Sequence, residues 1–212
     1  MIYQDAFTIA SDLKERVEPG CEIDHAWIVG SVRRLKHEVH DVELLCKPSP
    51  VPYVPKFGDK RLFSNHLQKI LFEMESEGLL HLINGAEKKR AFWVKTSRYG
   101  IETLNGFKAE FFIVTPPAQW GVLSVIRTGP GSEEDNFSRW CVTNRNAHGG
   151  LPDGYKVRHG AVWTTEQLDI KGEPLKGEIP LSMPREQDFL DFVGVGWVEP
   201  QYRHCPRNGK SA

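Results

Sequence analysis

The stretch Gly30-Ser31-Val32-Arg33-Arg34-Leu35-Lys36-His37-Glu38-Val39-His40-Asp41-Val42-Glu43 decides how the chain is read. It follows His25-Ala-Trp-Ile-Val29, an apolar run that reads as a buried strand ending in a Gly-Ser turn. A glycine at such a turn lets backbone N–H groups approach an anion closely, and Arg34 can add a two-pronged contact to a phosphate. Val39–Leu45 alternates apolar and polar residues and reads as the next strand. Alternation puts Asp41 and Glu43 on one face. Two carboxylates side by side repel unless cations sit between them, which is the arrangement a two-metal phosphoryl-transfer site needs. A third acid on a neighbouring strand would complete it. Glu110, in Lys108-Ala-Glu-Phe-Phe-Ile-Val114, has the flanking pattern of a strand entering a core.

Outward from this stretch, Asp5–Val17 carries Ala6, Ile9, Ala10, Leu13 and Val17 at helical spacing, and Pro19-Gly20 stops the helix. Lys47–Pro55 holds four prolines in nine residues and reads as a stiff, extended loop. Residues 62–77 form the next amphipathic helix, ended by Gly78, and strand-like segments follow at Leu79–Ile83, Ala91–Thr96 and Phe107–Thr115. Beyond Gly121 turn residues rise: short helices are expected near 119–126 and 136–147, a small sheet from Lys156–Trp163 and Gln167–Ile170, and a last helical turn or two over 185–193. The expected organisation is α+β, with a catalytic domain over residues 1–122 and a smaller unit over 123–212.

The chain has 212 residues, 40% hydrophobic and 26% charged, which suits one globular domain or two small ones. With 27 basic and 28 acidic residues, no overall positive field exists to hold nucleic acid, so any such field must be local. Lys88-Lys89-Arg90, Lys95 and Arg98, interleaved with Phe92, Trp93 and Tyr99, form one basic cluster, and Arg203, Arg207 and Lys210 another. No apolar run approaches the roughly 20 residues that span a bilayer, and the N-terminus does not read as a secretory signal. Cys21, Cys46, Cys141 and Cys205 lie far apart without a CxxC pair, as expected of a reduced, cytosolic chain. No GxSxG or HExxH motif supports a hydrolase.

Gly-Ser, about ten residues, then acid-apolar-acid resembles the nucleotidyltransferase superfamily of DNA polymerase beta. The GSVRR segment, with Asp41 ten residues after Ser31, narrows the resemblance to family X DNA polymerases. Further landmarks follow in order. Leu62–Glu77 looks like the family's palm helix, and Trp120–Leu123, Thr128-Gly129 and Phe137 look like the hinge and first helix of its nucleotide-binding subdomain. Glu186–Val193 and Trp197-Val-Glu-Pro-Gln-Tyr-Arg203 look like its closing motif. The resemblance is to the minimal, viral or phage kind without the N-terminal lyase domain.

The resemblance implies a polymerase beta-like palm, a mixed sheet with helices on one face, followed by a small α+β nucleotide-binding subdomain. It implies template-directed addition of dNMP to a primer 3′-hydroxyl, as in short gap filling during DNA repair. Asp41, Glu43 and Glu110 would hold two Mg²⁺ ions, with Mn²⁺ able to substitute. Gly30, Ser31 and Arg34 would grip the triphosphate, and Arg127, Thr128, Gly129 and Asn136 would meet the nucleotide. Lys88, Lys89, Arg90, Lys108, Arg139 and Arg203 would contact primer-template or gapped DNA. A cis peptide at Gly129–Pro130 would place the hinge against the sugar. The enzyme would be a monomer of the cytoplasm or nucleoid, away from membranes. The family usually has three aspartates where this chain has one and two glutamates, and aromatic residues where it has Ile126-Arg127. Two alternatives stay open: a template-independent nucleotidyltransferase acting on an RNA end, a protein or a small molecule, and an inactive palm-fold binding module.

Overall fold

Ala6, Ala10, Leu13 and Val17 recur on one helical face, and they are the residues that helix α1 (Tyr3–Val17) buries. The computed structural model describes residues 1–51, 65–83, 98–103, 108–131 and 135–205. After α1 come strand β1 (Cys21–Val29), the short helix α2 (Gly30–Arg33), strand β2 (Val42–Pro48) and helix α3 (His66–Ser76). Strands β3 (Leu80–Ile83), β4 (Arg98–Thr103) and β5 (Lys108–Ile113) follow. They form one mixed sheet in the order β1-β2-β5-β4-β3, in which β2 and β5 run parallel and the other neighbours antiparallel.

The sheet's two faces follow from strand alternation. Val42, Leu44 and Cys46 of β2 and Ala109, Phe111 and Ile113 of β5 share one core with the buried face of α1 and with Leu67, Leu71 and Met74 of α3. Burying a side chain such as Leu67 or Leu71 contributes about 1.5–3 kcal/mol. The Asn65 side chain caps α3 by accepting from the Gln68 N–H at 2.9 Å. Both helices therefore lie on one face. The opposite face takes Glu43 and Leu45 of β2 and Glu110 and Phe112 of β5.

Two local features differ from the sequence reading. Strand β2 begins at Val42 rather than Val39, because the Val39 N–H is already bonded to the Met1 carbonyl at 3.0 Å. The Gly-Ser turn is a helical turn, closed by Arg34 N–H donating to the Gly30 carbonyl at 3.2 Å. The strand expected at Ala91–Thr96 lies outside the described residues.

The chain divides into two compact units, Met1–Val114 and Thr115–Ala212. Helix α4 (Trp120–Thr128) thus belongs wholly to the second unit, whereas the sequence reading ends the first domain at residue 122. The second unit adds helix α5 (Phe137–Val142), a hairpin of β6 (Tyr155–Arg158) and β7 (Ala161–Thr164), and helix α6 (Glu186–Val193). Val122, Val125, Phe137, Cys141, Leu151, Val162, Phe189 and Leu190 make its core. The expected strand at Gln167–Ile170 is instead the end of a 3₁₀ turn, capped by Thr164 and Gln167, and an isolated bridge between Leu168 and Pro174. Among the described residues no helix is long and apolar enough to cross a membrane.

Candidate active site

Strand β1 delivers the chain to Gly30 with φ of +65°, a conformation that glycine adopts without a Cβ penalty. The space a Cβ would need is also taken, since it would lie 1.8 Å from Glu43 Oε2. The carboxylate of Glu43 is therefore seated against the Gly30 backbone, where α2 begins. Register sets the rest of the row. Val29 faces Glu43 across the antiparallel pair, Glu43 faces Glu110 across the parallel pair, and Glu110 faces Gly100 on β4.

Glu43 and Glu110 thus project from one face of adjacent strands, which lie about 4.8 Å apart. Both are half-buried. Like charges directly opposite each other in a sheet are destabilising, so this pair concentrates negative potential at one point. Asp41 is half-buried on the residue before β2, two positions from Glu43, and shares its alternation phase. The donor set suits Mg²⁺, which prefers hard carboxylate oxygens. As the side chains stand, no three His, Cys, Asp or Glu among the described residues are close enough to share an ion.

Around the acids, Ser31 Oγ is buried without a hydrogen-bond partner. The two arginines of the turn are placed differently. The Arg33 guanidinium lies over the Trp27 ring, 4.8 Å from its centre, while half-buried Arg34 closes α2. Lys108 is exposed at the start of β5 and shares the alternation phase of Glu110.

The candidates of the second unit fare less evenly. Thr128 and Gly129, expected to receive the sugar, are buried. The Ser138 hydroxyl lies 2.6 Å from the Ile126 carbonyl and 3.1 Å from that of Gly129, which fastens this turn to α5. The cis bond expected at Gly129–Pro130 is absent: among the described residues only Pro116–Pro117 is cis. Gly129 instead takes an extended conformation, φ −65° and ψ 153°, which suits a residue before trans proline. Arg127 is half-buried and Arg139 exposed. Asn136 accepts the Arg139 N–H at 2.9 Å, so its side-chain oxygen serves as the cap of α5.

Arg203 corrects the sequence reading. It is not a surface cation for DNA: its side chain is fully buried, its Nη1 lies 2.7 Å from Glu186 Oε1, and its Nε donates to the Val198 carbonyl at 3.0 Å. Nothing in the local pattern around residue 203 announces Glu186, which lies 17 positions earlier. Lys88, Lys89 and Arg90 lie outside the described residues.

No protein-family model matches the chain, and no curated protein is similar to it.

The Gly30–Glu43 contact makes a direct prediction. Gly30→Ala should cost more than Gly78→Ala, although both glycines have positive φ, because nothing lies within 4 Å of a Cβ at Gly78. The backbone term, about 1–2 kcal/mol, is common to both. The Glu43 carboxylate, the far end of a flexible side chain, can shift aside, which adds about 0.5–1.5 kcal/mol at Gly30 only. Denaturant midpoints of the two variants measure the difference.

Proposed function

We propose that the chain is a nucleotidyltransferase of the polymerase beta type, and specifically a template-directed DNA polymerase of family X that adds dNMP to a primer 3′-hydroxyl. The observation that carries this reading is the in-register pair Glu43–Glu110 on parallel strands, with the Glu43 carboxylate against Gly30 at the Gly-Ser turn. A mixed sheet that carries the acids on the face away from its helices supports it. Asp41, Glu43 and Glu110 would hold two Mg²⁺ ions, or Mn²⁺ in their place. When bound, the ions lower the pKa of the attacking hydroxyl and offset charge on the triphosphate. Ser31 and Arg34 would hold the triphosphate beside Glu43. Glu110, with exposed Lys108 two residues before it, would lie on the primer side. The DNA itself would meet exposed Arg139 and the Lys88-Lys89-Arg90 cluster.

The test is incubation with labelled primer, each dNTP and each rNTP, and Mg²⁺ or Mn²⁺, with and without template. Template-matched dNMP addition is the expected result. Addition that ignores the template moves the chain to the template-independent class, and no transfer under any condition leaves a palm-fold binding module. Reversing Lys88, Lys89 and Arg90 to Glu should weaken DNA binding and lower its dependence on log salt by about 0.9 for each phosphate no longer neutralised. Metal binding should be unaffected. Filter-binding titrations across a salt series report both quantities.

A further inference from the structure

Between α2 and β2 the chain has no regular element, yet a closed set of backbone bonds ties it down. Lys36 N–H donates to the Ser31 carbonyl at 3.1 Å and Leu35 N–H to that of Val32 at 3.0 Å, which closes the end of α2. Leu35 turns the chain with φ of +56°, unusual for a branched side chain. The next residues pair with the start of the chain. Tyr3 N–H donates to the His37 carbonyl at 3.1 Å. Met1 and Val39 exchange two bonds, at 3.0 and 3.1 Å, and Ile2 and Glu38 are antiparallel bridge partners. Val39 is buried in the same core as Ala6 and Ala10 of α1, while His37, Glu38 and His40 are exposed. This tethered stretch has Ser31 and Arg34 at one end and Asp41 at the other.

We propose that Met1–Tyr3 is a positioning strap: by pairing with His37–Val39 it sets the path of the loop that carries Asp41 into β2. The anchoring of the loop stands on these bonds alone, and only the consequence for Asp41 rests on the transferase reading. None of the three strap residues would touch substrate. They act through the backbone of the loop, so release of the strap should loosen Asp41 without unfolding the sheet.

The structure supplies a clean probe. Tyr3 is the first residue of α1, where proline's missing N–H costs the helix no bond, and Ile2 already has φ −73° and ψ 155°, which a residue before proline prefers. Tyr3→Pro therefore deletes the bond to His37 and spares the helix, with Tyr3→Ala as the side-chain control. Hydrogen exchange should quicken at residues 37–42 in Tyr3→Pro relative to Tyr3→Ala, by about 2–10-fold for one net hydrogen bond. Mn²⁺ affinity, read by electron paramagnetic resonance, should fall by a similar factor while the melting temperature stays within about 8 °C of that of Tyr3→Ala. Equal exchange in the two variants, or equal Mn²⁺ affinity, overturns the proposal.

If Tyr3→Pro does not fold, Ile2→Cys/Glu38→Cys replaces it, since bridge partners lie within disulfide reach. The oxidised pair should slow exchange at residues 37–42 and keep Mn²⁺ affinity, and unchanged exchange overturns the strap. A wild-type Mn²⁺ affinity that Asp41→Asn leaves untouched overturns the transferase reading instead, and exchange alone then decides the strap.

Discussion

Asp41→Asn and Glu110→Gln should each reduce nucleotide transfer by about 10³-fold or more while stability stays within about 1 kcal/mol of the wild type. The two halves of this result come from different physics. Neutralising one carboxylate removes a charge that would hold the metal ions, and metal-ion stabilisation of a phosphoryl transition state amounts to several kcal/mol, each 1.36 kcal/mol being tenfold in rate. The fold loses little, because both side chains are only half-buried and the amides keep their shape. Single-turnover primer extension and denaturant titration on the same preparations measure both halves. Full activity in Glu110→Gln would sink the reading of the acidic pair, and a large loss of stability would make these residues structural.

The largest effect on stability is expected in the second unit. Arg203→Ala should cost about 3–5 kcal/mol, because it leaves the Glu186 carboxylate buried without its partner. The side chains are 0% and 3% exposed, so the pair lies out of bulk water. Glu186→Ala should cost a similar amount by stranding the guanidinium. The double variant Arg203→Met/Glu186→Leu should fall well short of the sum, since replacing a whole buried pair by apolar groups of similar volume is often close to neutral. Denaturant unfolding of the wild type, the matching single variants Arg203→Met and Glu186→Leu, and the double variant gives the coupling energy directly. If Arg203→Ala is as stable as the wild type, the pair contributes nothing.

These cases mark what a linear reading can reach. The burial of α1 and the shared face of Glu43 and Leu45 rest on local periodicity, and the residues alone predict them. Turn chemistry marks Gly30, but not the carboxylate that fills its side, because that contact needs β1 and β2 in register. Val39 carries the alternation of a strand, yet its backbone bonds go to Met1, 38 residues away, and periodicity cannot see such a partner. Arg203 lies in a basic tail, and a charge count reads it as surface. Its burial depends on α6 and on the path of the chain after Trp197. At Val39 and Arg203 alike, a long-range partner decides the outcome.

Strand order also imposes an order in time. β5 is the last strand of the first unit to leave the ribosome, yet it occupies the middle of the sheet, between β2 and β4. Until it docks, two inner strand edges stand open, and the apolar row Val42, Leu44 and Cys46 lacks its neighbours Ala109, Phe111 and Ile113. Open edges of this kind invite pairing with other chains. Closing the gap joins residues 67 positions apart, Glu43 and Glu110, a non-local pairing of the sort that slows folding. The acidic pair is therefore absent until β5 has been made, and the proposed chemistry switches on only with the insertion that seals the sheet.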